Sequence, residues 1–183
     1  MTDNSRDGLT ALEVLRGRLD GTSHLEVIHE GGYCWKAHFT FNNPASPERL
    51  EALKCQLTTP LPVSYERFLL HYDGAILYKD DEYGQWGFKL YGTQELFEEN
   101  LRCRQIYRED WPLSYFTFAE SFGDADLLIL DTAQLKDEGK DCRVIDGDSG
   151  EPLTYWEAAA PGFGKWLDRL VVAQGAKYWR WYR

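Results

Sequence analysis

Gly147-Asp148-Ser149-Gly150-Glu151-Pro152 sets a serine between glycines in a short polar segment, a setting that suits a nucleophilic hydroxyl, and His38 lies upstream of it. A nucleophilic serine needs a histidine to take its proton and backbone N–H groups to hold the oxyanion. Glu151 places a carboxylate beside that oxyanion position, and His38 falls inside an alternating strand pattern. Gly, Asp and Ser are also the residues that hairpin turns use. The segment therefore reads as a turn between two strands. A hydrolase using Ser149 is the minor alternative, and no catalytic residue is expected.

Two acidic groups invite a cation. Asp146, Asp148 and Glu151 resemble the start of a calcium loop, but Gly150 and Glu151 stand where such a loop needs an oxygen ligand and then glycine. Asp124, Asp126 and Asp131 read as turn and strand-end residues. Cys34, Cys55, Cys103 and Cys142 form no C-x-x-C unit, and paired short spacings are what structural zinc sites show. No metal and no cofactor are expected. A protein partner suits the acids better. Asp80, Asp81 and Glu82 fall in a turn between two strands, with Tyr83 and Trp86 beside them. An aromatic anchor next to carboxylates can be buried by a partner while the acids meet its Lys or Arg. Asp124 and Asp126 join this surface if the turn at Gly123 lies on the same end of the sheet.

The 183 residues carry 20 basic and 30 acidic side chains, a net charge of −10. Such a field repels phosphate backbones and attracts basic partners. Residues 165–183 run against the trend, with five basic groups and one acid for +4, leaving −14 on the other 164 residues. Their end, Lys177-Tyr178-Trp179-Arg180-Trp181-Tyr182-Arg183, interleaves bases and rings. It could stack on single-stranded nucleic acid, but the acidic remainder opposes that. Packing on the domain, or self-association into a homodimer, is the reading preferred. The longest aliphatic run is Leu127–Leu130, far short of the ~20 residues of a membrane span. The polar N-terminus, without an apolar signal region, and the unpaired cysteines point to a cytoplasmic protein with reduced thiols.

The elements that must position these residues are legible from periodicity. Leu9, Leu12, Leu15 and Leu19 predict a helix over about 5–20, ended by Gly21. His24–Glu30, Gly31-Gly32 and the alternating run Tyr33–Phe41 predict a β-hairpin. Ser46-Pro47 opens a helix to Leu57. Tyr65, Phe68, Leu69 and Tyr72 form one face of the next, closed by Asp73-Gly74. Strands follow at Ala75–Tyr78 and Trp86–Leu90. A helix capped by Thr93 then runs to about Tyr107, carrying Leu96, Phe97, Leu101 and Ile106. Tyr115–Ala119, Asp126–Asp131 and Cys142–Asp146 are further strands, and Phe163–Gln174 is the last helix. Tyr65, Phe68, Leu69 and Trp166 are expected in the core. The fold class is α+β, a mostly antiparallel sheet with packed helices, and residues 1–183 read as a single domain without a linker.

Leu61-Pro62-Val63-Ser64-Tyr65-Glu66-Arg67-Phe68-Leu69-Leu70-His71-Tyr72-Asp73-Gly74 resembles the opening motif of the SUKH superfamily, which includes the yeast cell-wall-assembly regulators and many bacterial immunity proteins. Leu90–Leu96, Phe118–Asp124, Leu127–Asp131 and Phe163–Leu167 are similar to later segments of that family, in order. The resemblance covers about residues 57–172, and residues 1–45 are additional to it. Asp73 departs from the family's usual Asn. The resemblance implies a non-enzymatic cytosolic binding protein. Its implied role is immunity, neutralising a toxin domain, often a nuclease and therefore basic. The alternative is an interaction or regulatory module without a toxin partner.

Overall fold

The computed structural model describes residues 8–57, 59–135 and 141–181. Its centre is one eight-stranded sheet in strict chain order, with every neighbouring pair antiparallel. The strands are β1 (His24–Ile28), β2 (Cys34–Phe41), β3 (Ala75–Asp80), β4 (Phe88–Leu90), β5 (Tyr115–Ser121), β6 (Leu127–Asp131), β7 (Arg143–Gly147) and β8 (Glu157–Ala160). The helices are α1 (Leu9–Arg16), α2 (Pro47–Gln56), α3 (Val63–His71), α4 (Thr93–Tyr107) and α5 (Phe163–Val172). This is the α+β architecture that the sequence predicts.

A meander sorts its connections. Those leaving β1, β3, β5 and β7 emerge at one end of the sheet, and those leaving β2, β4 and β6 at the other. The second end carries α2, α3 and α4. The first end carries only short connections, at 29–33, 81–87, 122–126 and 148–156, two of them with a single 3-10 turn. α5 starts near the helical end and delivers the tail to the turn end.

The predicted core is in place. Tyr65, Phe68, Leu69 and Trp166 are fully buried, and Phe163 and Phe118 pack with them edge to face. The Tyr65 hydroxyl, deep in this cluster, donates to the Tyr91 carbonyl at 2.6 Å. Leu9, Leu12 and Leu15 bury α1, and α1 lies against α5. α1 is shorter than expected: it ends at Arg16 with Gly17 as its cap, and residues 5–7 of the expected helix lie outside the described residues. The hairpin holds, with His24 opposite His38 and Ile28 opposite Cys34, and Gly31 and Gly32 both at positive φ.

Other expectations need correcting. The cap of α4 is Gly92, not Thr93. Asp73 takes the capping role from outside the helix: its carboxylate accepts the Thr93 N–H at 2.6 Å and the Thr93 hydroxyl at 3.0 Å. The buried stripe of α4 is Leu96, Asn100 and Cys103, while Phe97, Leu101 and Ile106 stay exposed. Trp86 sits in the β3–β4 turn, and Asp80 is the last residue of β3. β8, Glu157–Ala160, has no clean signal in the sequence.

Leu127–Leu130 is continuous because β6 is buried on both faces. Leu128 and Leu130 face the main core, and Leu127 and Ile129 face a second cluster with Cys103, Trp111 and Ile145. At the edge, β1 is blunted. The Asp20 N–H donates to the His24 carbonyl at 2.8 Å, and the Asp20 carboxylate accepts the His24 N–H at 2.9 Å. Gln174 accepts the Ile28 N–H at 2.9 Å. Side chains and a loop thus fill places where another strand would add. Among the described residues, no helix is long and apolar enough to cross a membrane.

Candidate partner-binding site

The meander places the acidic β3–β4 turn and the Gly123 turn at the same end of the sheet, and they touch. The Phe122 N–H donates to the Gly87 carbonyl at 2.9 Å. Gly123, at φ +84°, lies so close to Gln85 that a Cβ there would sit 2.6 Å from the Gln85 carbonyl oxygen. Only glycine fits that approach and that φ. Trp86 leans on His29 from the β1–β2 turn, their ring centres 4.7 Å apart. Between these turns and the tail lies a cavity of about 310 Å³, lined by Trp86, His29, Phe122, Asp124, Lys177 and Trp181 among others. That volume is at the small end of the ~300–1,000 Å³ of ligand sites.

The tail closes this end like a strap. Gly175, at φ +84°, lies on the Tyr78 ring, where any side chain would clash. Trp179 packs between Phe88 and Trp166. Lys177 Nζ donates to Asp124 and to Asp126, each at 2.6 Å. Arg180 grips Asp146 through Nε at 2.7 Å and through its terminal nitrogen at 2.8 Å. The same terminal nitrogen reaches Asp126 at 2.8 Å and Asp148 at 3.3 Å. Asp126 and Asp146 are buried, so each needs a counter-charge. Burial pushes the Asp126 carboxyl up. The Lys177 hydrogen bond, the Ser149 N–H and the charges of Lys177 and Arg180 outweigh it, holding the group at about 2. Burial also disfavours the Arg180 charge, but Asp146 first, then Asp126 and Asp148, raise the guanidinium above its ordinary range.

The residues singled out from sequence play unequal parts. Asp80 is buried and organises its own turn, accepting the Glu82 N–H at 2.9 Å and the Tyr83 N–H at 3.2 Å. Asp81 is partly exposed and meets Lys79 at 3.0 Å, His24 at 3.3 Å and His38 at 3.5 Å. The Lys79 hydrogen bond holds its carboxyl below the usual range. Glu82 is exposed and Tyr83 is 64% exposed. A hydrogen bond to Glu82 pushes the Tyr83 phenol up. Trp86 is 45% exposed. Asp124 reaches solvent, while Asp126 lies beneath it, engaged by the strap. Lys177, Arg180, His29 and Trp181 were not among the expected site residues. The one signal for the two bases was the basic tail on an acidic chain, whose counter-charges lie within the same molecule.

Ser149 serves these turns. Its N–H donates to Asp126 and its hydroxyl to the Asp124 carbonyl, both at 2.8 Å. His38 is on β2, with β3 to β6 between it and β7, and its ring stacks on His24. The two groups of the hydrolase alternative are therefore not brought together. Asp131 pairs with Arg143 at 2.8 Å. Among the described residues no group of three or more His, Cys, Asp or Glu could hold a metal ion.

The chain is 25% identical over 144 residues to the uncharacterized protein YnaB of Bacillus subtilis (strain 168), covering 78% of this chain and 88% of that protein. The family model described as SMI1 / KNR4 family (SUKH-1) matches residues 44–169, from the loop before α2 into α5. α1 and the β1–β2 hairpin thus precede the matched region, while the sheet that the hairpin extends is continuous with it. By that match the chain belongs to the SMI1 / KNR4 (SUKH-1) family.

Proposed function

We propose that the chain is a non-enzymatic cytoplasmic binding protein, an immunity protein that neutralises a basic toxin domain. The observation that carries this reading is the half-exposed Trp86, which lines one cavity with Asp124 and shares its turn with Asp81 and Glu82 at one end of the sheet. An aromatic anchor that a partner buries is how tight interfaces concentrate their energy. A net charge of −10 would speed encounter with a basic nuclease domain and reject acidic partners. Family membership supports a binding role.

The test is genetic and then biophysical. The gene immediately upstream is expressed alone and with this chain. Growth arrest that this chain relieves supports the reading. Glu82→Lys should slow association with the purified toxin domain and weaken its salt dependence, and Trp86→Ala should raise dissociation at least tenfold. An upstream product that is harmless, or that this chain neither binds nor neutralises, would leave an interaction or regulatory module without a toxin.

A further inference from the structure

The cavity at the turn end has walls of one kind and charge of another. Trp86, His29, Phe122 and Trp181 supply rings, and Trp86 and Trp181 are each nearly half exposed. Lys177 and Arg180 also line it, yet neither offers a spare charge. Two cations are embedded among four carboxylates, Asp124, Asp126, Asp146 and Asp148, so the cluster carries −2. The bases are the sheltered members: the Lys177 and Arg180 side chains are 21% and 26% exposed, whereas that of Asp124 is 49% exposed. The most exposed charge lining the cavity is therefore the Asp124 carboxylate. Aromatic faces beside net negative charge attract an organic cation, through the ring quadrupole and through Coulomb attraction together.

We propose that this cavity is a receptor for a guanidinium side chain, an arginine of the partner, stacked on Trp86 and paired with the exposed flank of Asp124. The source of that arginine rests on the binding role proposed above; the recognition chemistry does not. A flat guanidinium suits a cavity lined by Trp86 and Trp181, and its five N–H donors suit the Asp124 carboxylate. The buried aspartates beneath then act at one remove. They consume Lys177 and Arg180 and prevent the cavity from reading anions.

The experiment uses the intact chain with its indole nitrogens labelled and followed by NMR. The Trp86 and Trp181 signals are assigned by their loss in Trp86→Phe and Trp181→Phe. The probes are Nα-acetyl-arginine amide, its uncharged citrulline counterpart and Nα-acetyl-glutamate amide. Both signals should move saturably with the arginine probe at millimolar affinity, at least fivefold more weakly with citrulline, and not with glutamate. Trp86→Ala, a change at a half-exposed position, should abolish the arginine response, and Asp124→Asn should weaken it severalfold. Equal affinity for citrulline, preference for glutamate, or no response would overturn the proposal. Failure of toxin neutralisation with the probe still bound would strike only the biological role. Neutralisation undiminished in Trp86→Ala would overturn the assignment of that arginine to the toxin, and with it Trp86 as the anchor of the proposed interface.

Discussion

Asn100 on α4 and Thr117 on β5 join a helix to a strand through both backbone groups of one residue. The Asn100 carboxamide oxygen accepts the Thr117 N–H at 2.8 Å, and its nitrogen donates to the Thr117 carbonyl at 2.9 Å. Both residues are buried. The same nitrogen also donates to the Leu96 carbonyl at 2.8 Å, so both amide donors are engaged.

Asn100→Leu should therefore destabilise the fold by about 2–4 kcal/mol, although it adds apolar surface. It leaves the Thr117 N–H and carbonyl buried without partners, each costing about 1–3 kcal/mol. Denaturant unfolding reads the loss directly. A change under about 1 kcal/mol would mean that water replaces the amide.

Acid should loosen the turn end through Asp126. Its folded-state pKa, about 2, lies below the 3.8 of an ordinary aspartate. The stability it contributes is complete above about pH 5 and is lost as pH falls through 4 toward 2. A depression of that size amounts to about 2 kcal/mol. Asp126→Asn should lower stability at pH 7 and flatten the acid limb by that amount. An unchanged acid limb would show that another carboxylate dominates it.

Arg180→Lys keeps the charge and should still cost about 1–2 kcal/mol. The guanidinium contacts Asp146 through two nitrogens while reaching Asp126 and Asp148, and a single ammonium cannot span those oxygens. Thermal unfolding of the variant beside Arg180→Ala separates geometry from charge. Equal stability of Arg180→Lys and the parent protein would reduce the contact to simple charge balance.

The four thiols should divide into two pairs. Cys34 and Cys55 are exposed, and Cys103 and Cys142 are buried. Burial pushes the Cys103 thiol up to about 11 and, with Asp141 and Asp131 nearby, the Cys142 thiol up to about 12. A thiol reagent at pH 8 should label two groups quickly and the remaining two only after unfolding. Rapid labelling of three or four would reveal opening of α4 or β7 in the native state.

Where side-chain pattern alone decides an element, the sequence reads well. The alternation of Trp35, Ala37, Phe39 and Phe41 marks β2, and the Tyr65, Phe68, Leu69 spacing marks the inner face of α3. It fails where a polar group is satisfied from far away. Asn100 looks like a surface residue until Thr117 is beside it, and the buried face of α4 is turned from Phe97 and Leu101 toward Asn100 and Cys103. Thr93 looks like a cap until Asp73 takes that role from α3's end. β8, Glu-Ala-Ala-Ala, has too little side chain to show a strand's alternation. At the site, the acids and Trp86 were visible as types. Their meeting depended on the meander, which no local spacing encodes.

The strap also bears on synthesis. Residues 174–181 touch Ile28 of β1, Tyr78 of β3, Phe88 of β4 and Asp146 of β7, so they tie the earliest strand to nearly the latest. They are also translated after every one of those strands. Until residue 180 has been made, a nascent sheet holds Asp126 and Asp146 without their guanidinium, an arrangement that resists compaction. The charges of Asp126 and Asp146 therefore cannot be met in this way before the end of the chain has been synthesised.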